Sequence, residues 1–392
     1  MSLTLPLALA ALLLTPPAAP AAPAVPASPT TPASATAPAD LAPLLESIRR
    51  ETGVPALGAL VVTGKGTTRI EAIGVVGNRG GEPNAPVTTE DLWHLGSCTK
   101  AFTATLAAVL VETGALRWDA TVGEILGAEI PSMHAGWREV RLDELLRHRG
   151  GAPGPADPEA WKNAWTCPEG PERCRAQFVA AVLAKQPSRA RGDFEYSNQG
   201  YAIVGRMCEI AGKAAWEELV RERVCAPLGI TSLGFGVPSA RQPERATRGH
   251  REGGVLTDID NPQAIAPAGT MHMTLGDWAR FVGAHLDPAG LAPLGIGEAT
   301  FAILHEAPAN EPRSAMGWFA AERPWGGTVL HHAGSNTNWM CVAWLAPSRG
   351  FAVLTVSNAG GKAATRATDL AASAAIQWHN ERSKPQDAAA PR

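Results

Sequence analysis

Residues 92–114 read LWHLGSCTKAFTATLAAVLVETG and place Ser97 and Lys100 three positions apart at the start of an apolar run. Gly114 interrupts the run, so the pattern predicts a helix over residues 97–113. Residues three apart lie on one face of a helix, which would return the Lys100 amine toward Ser97. A serine hydroxyl is a weak nucleophile until a neighbouring base takes its proton. A lysine can be that base only if its pKa falls from about 10.4 toward neutrality.

A second group of polar residues, Tyr196-Ser197-Asn198, lies about a hundred residues further on, just before a predicted helix at 201–211. The chain contains only two tyrosines, and this one stands among turn residues. The phenol of Tyr196 can share a proton with Lys100, and the amide of Asn198 can bind a substrate carbonyl. These two side chains are therefore candidates for the same site as Ser97.

A third group, His332-Ala333-Gly334-Ser335, ends a predicted strand at 328–332. Gly334 removes a side chain where a substrate would approach the backbone closely. Backbone N–H groups at such a sheet edge can stabilise the oxyanion that forms when a carbonyl is attacked.

Each group taken singly also has a purely structural explanation. Ser97 can be a helix N-cap, Asn198 can stabilise a turn, and Tyr196 can be a half-buried residue with a satisfied hydroxyl. His332 can end a strand, and Gly334 can mark a bulge. The functional interpretation therefore depends on the three groups occurring together.

Strand patterns occur at both ends of the chain, around a middle that is mostly helical. Apolar runs bounded by turn residues predict strands at 57–63, 69–76, 315–320, 328–332, 339–346 and 351–357. A last amphipathic helix is predicted at 362–378. This arrangement predicts one sheet built from both termini, with a helical lobe inserted between its halves.

The order S-x-x-K at a helix start, then Y-x-N, then H-x-G in a late strand resembles the serine β-lactamase and penicillin-binding-protein family. Y-S-N in place of S-x-N resembles its class C and D-alanyl-D-alanine carboxypeptidase branch. The likeness covers about residues 40–378, including landmarks at 140–151 and 266–281. The resemblance implies a β-lactamase/transpeptidase-like α/β (α+β) fold. In that fold an antiparallel sheet from both termini is flanked by helices, with a large inserted all-helical lobe.

The same resemblance implies a role for each candidate residue. Ser97 would attack a carbonyl and become acylated, and Lys100 with Tyr196 would form the general-base pair. Tyr196 would also protonate the leaving group, and Asn198 would hydrogen-bond Lys100 and the amide of the substrate. The N–H groups of Ser97 and Ser335 would form the oxyanion hole. No metal or organic cofactor is expected.

One departure from the class C pattern is informative. Class C β-lactamases have lysine, within K-T-G, where this chain has His332. Histidine, with an ordinary pKa near 6.5, is mostly neutral at pH 7, so attraction for a substrate carboxylate should be weaker. We therefore expect a serine hydrolase that acts on an ester, a D-amino-acid amide or peptide, or a β-lactam-like substrate. The alternatives are a true class C-type β-lactamase and, outside enzymes, a penicillin-binding sensor or cell-wall-peptide binding protein with a stalled acyl-enzyme.

Composition and missing motifs exclude other classes. The net charge is −3 without a basic stripe, so no nucleic-acid partner is expected. The expected partner is a small-molecule or short-peptide substrate, with cell-wall peptide as one candidate. An α/β-hydrolase is disfavoured because no serine lies in G-x-S-x-G, and a metallo-hydrolase because no H-E-x-x-H occurs.

The amino terminus has the apolar core and small-residue sites of a signal peptide, although the first basic residue is Arg49. We predict a signal peptide at 1–24 and an Ala/Pro-rich linker at 25–39. The hydrolase domain would then span 40–380, followed by a disordered tail at 381–392. The protein would be secreted or periplasmic, with no stable membrane span after signal removal. The alternative is a disordered leader without a targeting role.

Six cysteines accompany this predicted export. Cys167 and Cys174 flank a stretch with turn chemistry at 168–171, and we predict a disulfide between them. Pairing of Cys208 with Cys225 stays open. The remaining two, Cys98 and Cys341, lie in apolar runs and are predicted to be small core residues. No C-x-x-C pair supports a zinc site.

Overall fold

The structure is a computed structural model, and it describes residues 37–64, 67–80, 84–240, 242–257 and 259–383. The predicted signal peptide, nearly all of the predicted linker and the tail beyond Ser383 lie outside these residues. Ala39, the last residue of the predicted linker, pairs with Ala72 in the main sheet.

The described residues form short and long strands in both halves of the chain. The strands are β1 (Ala39–Asp40), β2 (Ala56–Thr63), β3 (Arg69–Gly77), β4 (Leu92–His94), β5 (Gly234–Phe235), β6 (Gly249–Arg251), β7 (Val255–Thr257), β8 (Met271–Thr274), β9 (Phe319–Arg323), β10 (Gly327–Ser335), β11 (Met340–Ala346) and β12 (Phe351–Ser357).

Most of the α-helices lie between β3 and β9. The helices are α1 (Ala42–Thr52), α2 (Thr99–Glu112), α3 (Val122–Leu126), α4 (Leu142–Leu146), α5 (Pro158–Thr166), α6 (Pro171–Leu183), α7 (Asn198–Gly212), α8 (Trp216–Val220), α9 (Ala266–Gly269), α10 (Leu275–Ala284), α11 (Pro288–Leu291), α12 (Glu298–His305) and α13 (Gly361–Arg382).

The main sheet combines strands from both ends of the chain. Its seven strands run in the order β1-β3-β2-β12-β11-β10-β9, and every neighbouring pair except β1 with β3 is antiparallel. The two halves meet where β2 pairs with β12, with Leu57 opposite Ser357. The predicted sheet built from both termini is confirmed.

Alternate side chains of β2 enter two different cores, as the period of two in a strand requires. Those facing the helical insert are Ala56, Leu60 and Val62. Those facing the layer of helices α1 and α13 are Leu57, Ala59 and Val61. Because both faces are covered, the strand is an almost unbroken apolar run. The sheet therefore separates a large core beneath the insert from a smaller one beneath the terminal helices.

The insert between β3 and β9 is predominantly helical, as predicted, but it also contains two small sheets that were not predicted. Strand β8 pairs with β4 and β5, and β6 pairs with β7. Strands of two to four residues are too short to produce a periodic signal. The sheet of β4, β8 and β5 matters for function because β4 leads directly into the turn that carries Ser97.

One strand is displaced from its predicted position. The sequence predicts a strand at 315–320, whereas β9 covers Phe319–Arg323. Gly317 has a φ of +78°, and a Cβ there would lie 2.6 Å from the Cα of Ala101. The preceding residues thus pass directly over the first turn of α2, and pairing with β10 begins only beyond that contact.

The cysteines resolve the alternatives that the sequence left open. Cys167 and Cys174 form a disulfide, as predicted. Cys208 and Cys225 are buried free thiols, so this pairing does not occur. Cys98 and Cys341 are buried core residues, as predicted, and their sulfur atoms lie 3.5 Å apart.

Among the described residues, no helix combines the length and the apolar character needed to cross a membrane.

Candidate active site

The candidate nucleophile lies in a tight turn between β4 and α2. A single 3-10 turn, Gly96–Cys98, joins the strand to the helix. Gly96 has a φ of +45°, a conformation that glycine adopts without a steric penalty. The Cys98 N–H donates to the carbonyl of Leu95. Ser97 is partly exposed while its two neighbours are buried, so the turn presents its side chain at the surface of the insert.

Lys100 connects three separate segments of the chain. Its Nζ lies 3.1 Å from Oγ of Ser97, 2.8 Å from Oδ1 of Asn198 and 2.8 Å from the carbonyl oxygen of Ala268. The side chain is fully buried because α2 runs through the centre of the insert. The predicted convergence of Ser97, Lys100 and Asn198 is therefore present in the structure.

Burial changes the acid–base chemistry of this amine. Desolvation lowers the pKa of Lys100 from 10.5 to about 7, because the charged form loses its hydration. At neutral pH a substantial fraction of the amine is therefore uncharged. A neutral amine within hydrogen-bonding distance of a hydroxyl can accept its proton as that hydroxyl attacks a carbonyl.

Tyr196 packs against the amine of Lys100. Its ring centre is 4.8 Å from Nζ of Lys100, which itself lies 3.1 Å from Oγ of Ser97. Burial raises the pKa of the Tyr196 phenol, an effect that the polar Ser97 side chain partly opposes. A phenol with a raised pKa keeps its proton at neutral pH. This environment favours Tyr196 as a proton donor and leaves the first proton abstraction to Lys100.

His148 supports Tyr196, and the sequence analysis did not identify it. Its ring packs 4.4 Å from the Tyr196 ring, and its Nδ1 accepts a hydrogen bond of 3.1 Å from the Ser197 N–H. Desolvation, reinforced by Lys100, lowers the pKa of His148, so the ring is neutral. The residue has a φ of +58°, which is uncommon for a side chain with a Cβ. It lies in the 140–151 landmark, but no local pattern indicates what its ring contacts.

His332 is buried beside the same residues. Its Nδ1 lies 2.8 Å from the carbonyl oxygen of Ala333, and its Nε2 has no hydrogen-bond partner among the residues that the structure describes. Burial, together with the nearby Lys100, lowers its pKa to about 3. His332 is therefore uncharged at neutral pH, more completely than its ordinary pKa indicates.

The structure shows why a residue without a side chain is needed at position 334, and this reason was not predicted from the sequence. A Cβ at this position would lie 2.1 Å from the carbonyl oxygen of Leu95 and 2.9 Å from the Cys98 nitrogen. The missing side chain thus admits the nucleophile turn of the protein itself. A Cβ on Gly96 would lie 2.5 Å from the Ser335 nitrogen, so the two glycines bring the turn and β10 into backbone contact. This contact places Ser335 beside Ser97.

The fold and the serine–lysine pair define a class of protein, the serine hydrolases that act through an acyl-enzyme. The Beta-lactamase family model matches residues 41–376, and the chain belongs to this family. The family and the fold predicted from the three sequence groups are thereby confirmed, while the roles of individual residues remain predictions.

Known relatives include both penicillin-binding proteins and β-lactamases. Penicillin-binding protein 4 of Amycolatopsis lactamdurans is 29% identical over 345 residues, which cover 83% of this chain and 86% of that protein. Two solved structures share the fold. The class C β-lactamase from Rhodobacter sphaeroides matches with a TM-score of 0.69 and 20% identity, over 86% of this chain and 98% of that one. The D-alanine carboxypeptidase AmpC from Burkholderia cenocepacia matches with a TM-score of 0.68 and 19% identity, over 86% and 96%.

Proposed function

We propose that this protein hydrolyses an ester or a D-amino-acid amide or peptide through an acyl-enzyme on Ser97. The observation that carries the proposal is the position of the Lys100 amine, 3.1 Å from the Ser97 hydroxyl, with a pKa lowered to about 7 by burial. An amine in this state is matched to general-base catalysis at neutral pH.

The proposed reaction follows from the hydrogen bonds of the site. The neutral amine of Lys100 accepts the Ser97 proton while Oγ bonds to the substrate carbonyl carbon. The N–H groups of Ser97 and Ser335 stabilise the oxyanion. Tyr196 donates its proton to the leaving nitrogen or oxygen and regains one through Lys100. Water then attacks the acyl ester, and the same groups carry the proton in reverse. Since these groups exchange protons, they titrate as a coupled set.

The environment of His332 supports substrates without an essential carboxylate. Its pKa of about 3 leaves this position uncharged wherever Lys100 is neutral enough to act as a base. Phe319 packs against it, with ring centres 5.6 Å apart, and lies 6.5 Å from the Tyr196 ring. An uncharged, partly aromatic wall favours an apolar ester or amide over an anionic ligand. A true class C-type β-lactamase remains the second candidate, because Ser97, Lys100, Tyr196 and Asn198 match its motifs.

Three substrates test the proposal on one preparation of the protein: a short-chain nitrophenyl ester, a D-alanyl nitroanilide and a chromogenic cephalosporin. We expect many turnovers of the ester or the anilide, with much weaker cephalosporin hydrolysis. Ser97→Ala should retain the fold by circular dichroism and lose at least about a thousandfold in rate. Turnover that survives this substitution would refute the nucleophile assignment. Efficient cephalosporin hydrolysis would instead favour the β-lactamase alternative.

A sensor or cell-wall-peptide binding protein is the non-enzymatic alternative. Such a protein would release one equivalent of nitrophenol or less and then stop, because its acyl-enzyme is not hydrolysed. Mass spectrometry of the stalled protein would find the acyl group on Ser97. Continuous turnover of any of the three substrates excludes this alternative.

We also propose that residues 1–24 are a signal peptide and that the mature protein is secreted or periplasmic. The disulfide between Cys167 and Cys174 supports export, since such bonds persist in oxidising compartments. The amino-terminal sequence of the protein recovered from the periplasm or the medium tests this. Recovery of the uncleaved chain from the cytoplasm alone would contradict it.

A further inference from the structure

A buried polar cluster next to the nucleophile turn has no role in the reaction described above. His94, at the end of β4, is 1% exposed, and its Nδ1 accepts a hydrogen bond of 3.0 Å from the Gly96 N–H. Its Nε2 lies 3.0 Å from the carboxylate of Asp260. Because Nδ1 is an acceptor, the ring proton is on Nε2 and is donated to the carboxylate. Both ring nitrogens are thus engaged, so these residues do not form a Ser-His-Asp triad with Ser97.

Asp260 also holds the end of β10. The side chain of Asn336 donates a hydrogen bond of 3.0 Å from Nδ2 to Oδ1 of Asp260. The carbonyl oxygen of the same amide accepts from the N–H groups of Asn338 and Trp339, at 3.2 and 3.3 Å. The carboxylate is only 9% exposed. A single, largely enclosed carboxylate therefore connects β4 to the turn between β10 and β11.

The connection has two arms, the hydrogen bond from His94 to Asp260 and the hydrogen bond from Asn336 to Asp260. Each arm ends beside one of the proposed oxyanion donors. Gly96, held by His94, immediately precedes Ser97, and Asn336 immediately follows Ser335. Between the arms the two backbones touch, since a Cβ on Gly96 would lie 2.5 Å from the Ser335 nitrogen. An oxyanion hole depends on donors about 2.7–3.1 Å from the developing negative charge, so a small change in their separation weakens both hydrogen bonds.

We propose that Asp260, acting through His94 and Asn336, is a positioning residue that sets the separation of the Ser97 and Ser335 N–H groups. This inference rests on the proposed function, because it requires those two N–H groups to bind the oxyanion. Asp260 itself does not contact the reacting atoms.

The decisive measurement is the affinity of each variant for phenylboronic acid. This compound bonds to a serine oxygen and forms a tetrahedral adduct that imitates the transition state. In Asp260→Asn the amide retains one acceptor oxygen but cannot serve both arms as the carboxylate does. We expect its acylation rate and its boronate affinity to fall together, by about ten- to a hundredfold. His94→Asn keeps an acceptor for the Gly96 N–H but loses the donor to Asp260, and its loss should be smaller.

A matched control separates positioning from a general loss of stability. Asp277 is a buried aspartate, 8% exposed, and it accepts hydrogen bonds from the N–H groups of Thr231 and Ser232. Asp277→Asn should lower the melting temperature and leave the boronate affinity within about twofold of the wild type. If Asp260→Asn behaves in the same way, the positioning role is refuted.

A double-mutant cycle adds a second criterion. If His94 acts through Asp260, the His94→Asn, Asp260→Asn double variant should be no weaker in boronate affinity than Asp260→Asn. Losses that add independently would overturn the inference. Should Asp260→Asn fail to fold, Asn336→Ala gives the same test, and a wild-type boronate affinity in that variant would count against the proposal.

The two proposals fail in distinguishable ways. If Ser97→Ala still turns over the substrate, the proposed function is wrong whatever Asp260 does. If Ser97→Ala is inactive and boronate binds the wild type, then unaltered binding to Asp260→Asn refutes the positioning role alone.

Discussion

Replacing Lys100 with methionine should remove acylation and change how the stability of the protein depends on pH. Compared with the wild type, the variant should be favoured more at low pH than at high pH. Methionine keeps an unbranched apolar chain in the buried position and removes the ionisable amine. The amine is fully buried, and desolvation lowers its pKa from 10.5 to about 7. Its charged form is therefore destabilised by the fold.

The size and direction of the effect follow from proton linkage. A fall from 10.5 to about 7 corresponds to roughly 5 kcal/mol, at 1.36 kcal/mol for each pKa unit. Between these two values the unfolded chain binds the Lys100 proton and the folded protein does not, so the free energy of unfolding rises with pH. Below about pH 7 both states are protonated and the full cost is present. Near pH 10.5 the cost is gone.

The assay is urea unfolding of the wild type and of Lys100→Met at pH 6, 8 and 10. The difference in unfolding free energy between the two proteins should shift by about 4 kcal/mol in favour of the wild type from pH 6 to pH 10, because part of the total effect lies outside this pH range. The carbonyl groups that lose the Lys100 donor add a cost to the variant that does not depend on pH. Lys162→Met, at an exposed position, is the control, and its difference from the wild type should change little.

The reasoning would be refuted if the unfolding free-energy difference between Lys100→Met and the wild type depended on pH as little as that of Lys162→Met. It would mean that the buried amine keeps nearly its ordinary proton affinity in the folded protein. Lys100 would then be almost fully protonated at pH 7 and unsuited to accept the Ser97 proton.

Three further predictions concern other parts of the molecule. Tyr196→Phe should lower the rate of ester hydrolysis by at least about a hundredfold, and an unchanged rate would remove the phenol from the mechanism. His332→Lys should improve the KM for a carboxylate-bearing β-lactam by about tenfold and leave that for a neutral ester unchanged, whereas equal changes would discard the charge argument. Replacing both Cys167 and Cys174 by serine should cost about 2–3 kcal/mol in urea unfolding, and an unaltered midpoint would show that the disulfide is not needed for stability.

Local sequence patterns were sufficient wherever the physical cause is itself local. Helical spacing returns the Lys100 amine to the face that carries Ser97, and the observed distance of 3.1 Å agrees. The long apolar strands β2, β11 and β12 appear close to their predicted bounds, because both faces of each are covered. The bounds predicted for the strand at 315–320 were wrong, because the contact of Gly317 with α2 determines where β9 begins.

Contacts between distant segments explain what the sequence did not reveal. His148 gives no local sign that its ring supports Tyr196, and Asp260 gives none that it connects β4 with β10. The sequence did not indicate that Gly334 also admits the nucleophile turn, where a Cβ would lie 2.1 Å from the Leu95 carbonyl oxygen. Each of these roles requires coordinates from at least two parts of the chain.

The sequence by itself determined which side chains are available: a hydroxyl and an amine on one helix face, and a phenol and an imidazole in distant segments. Only the tertiary structure decided their protonation. Enclosing α2 within the insert removes water from the Lys100 amine and lowers its pKa to about 7, while the same enclosure keeps His332 neutral. The physical reason is that the hydration of a charge depends on everything packed around it, which no local sequence pattern specifies.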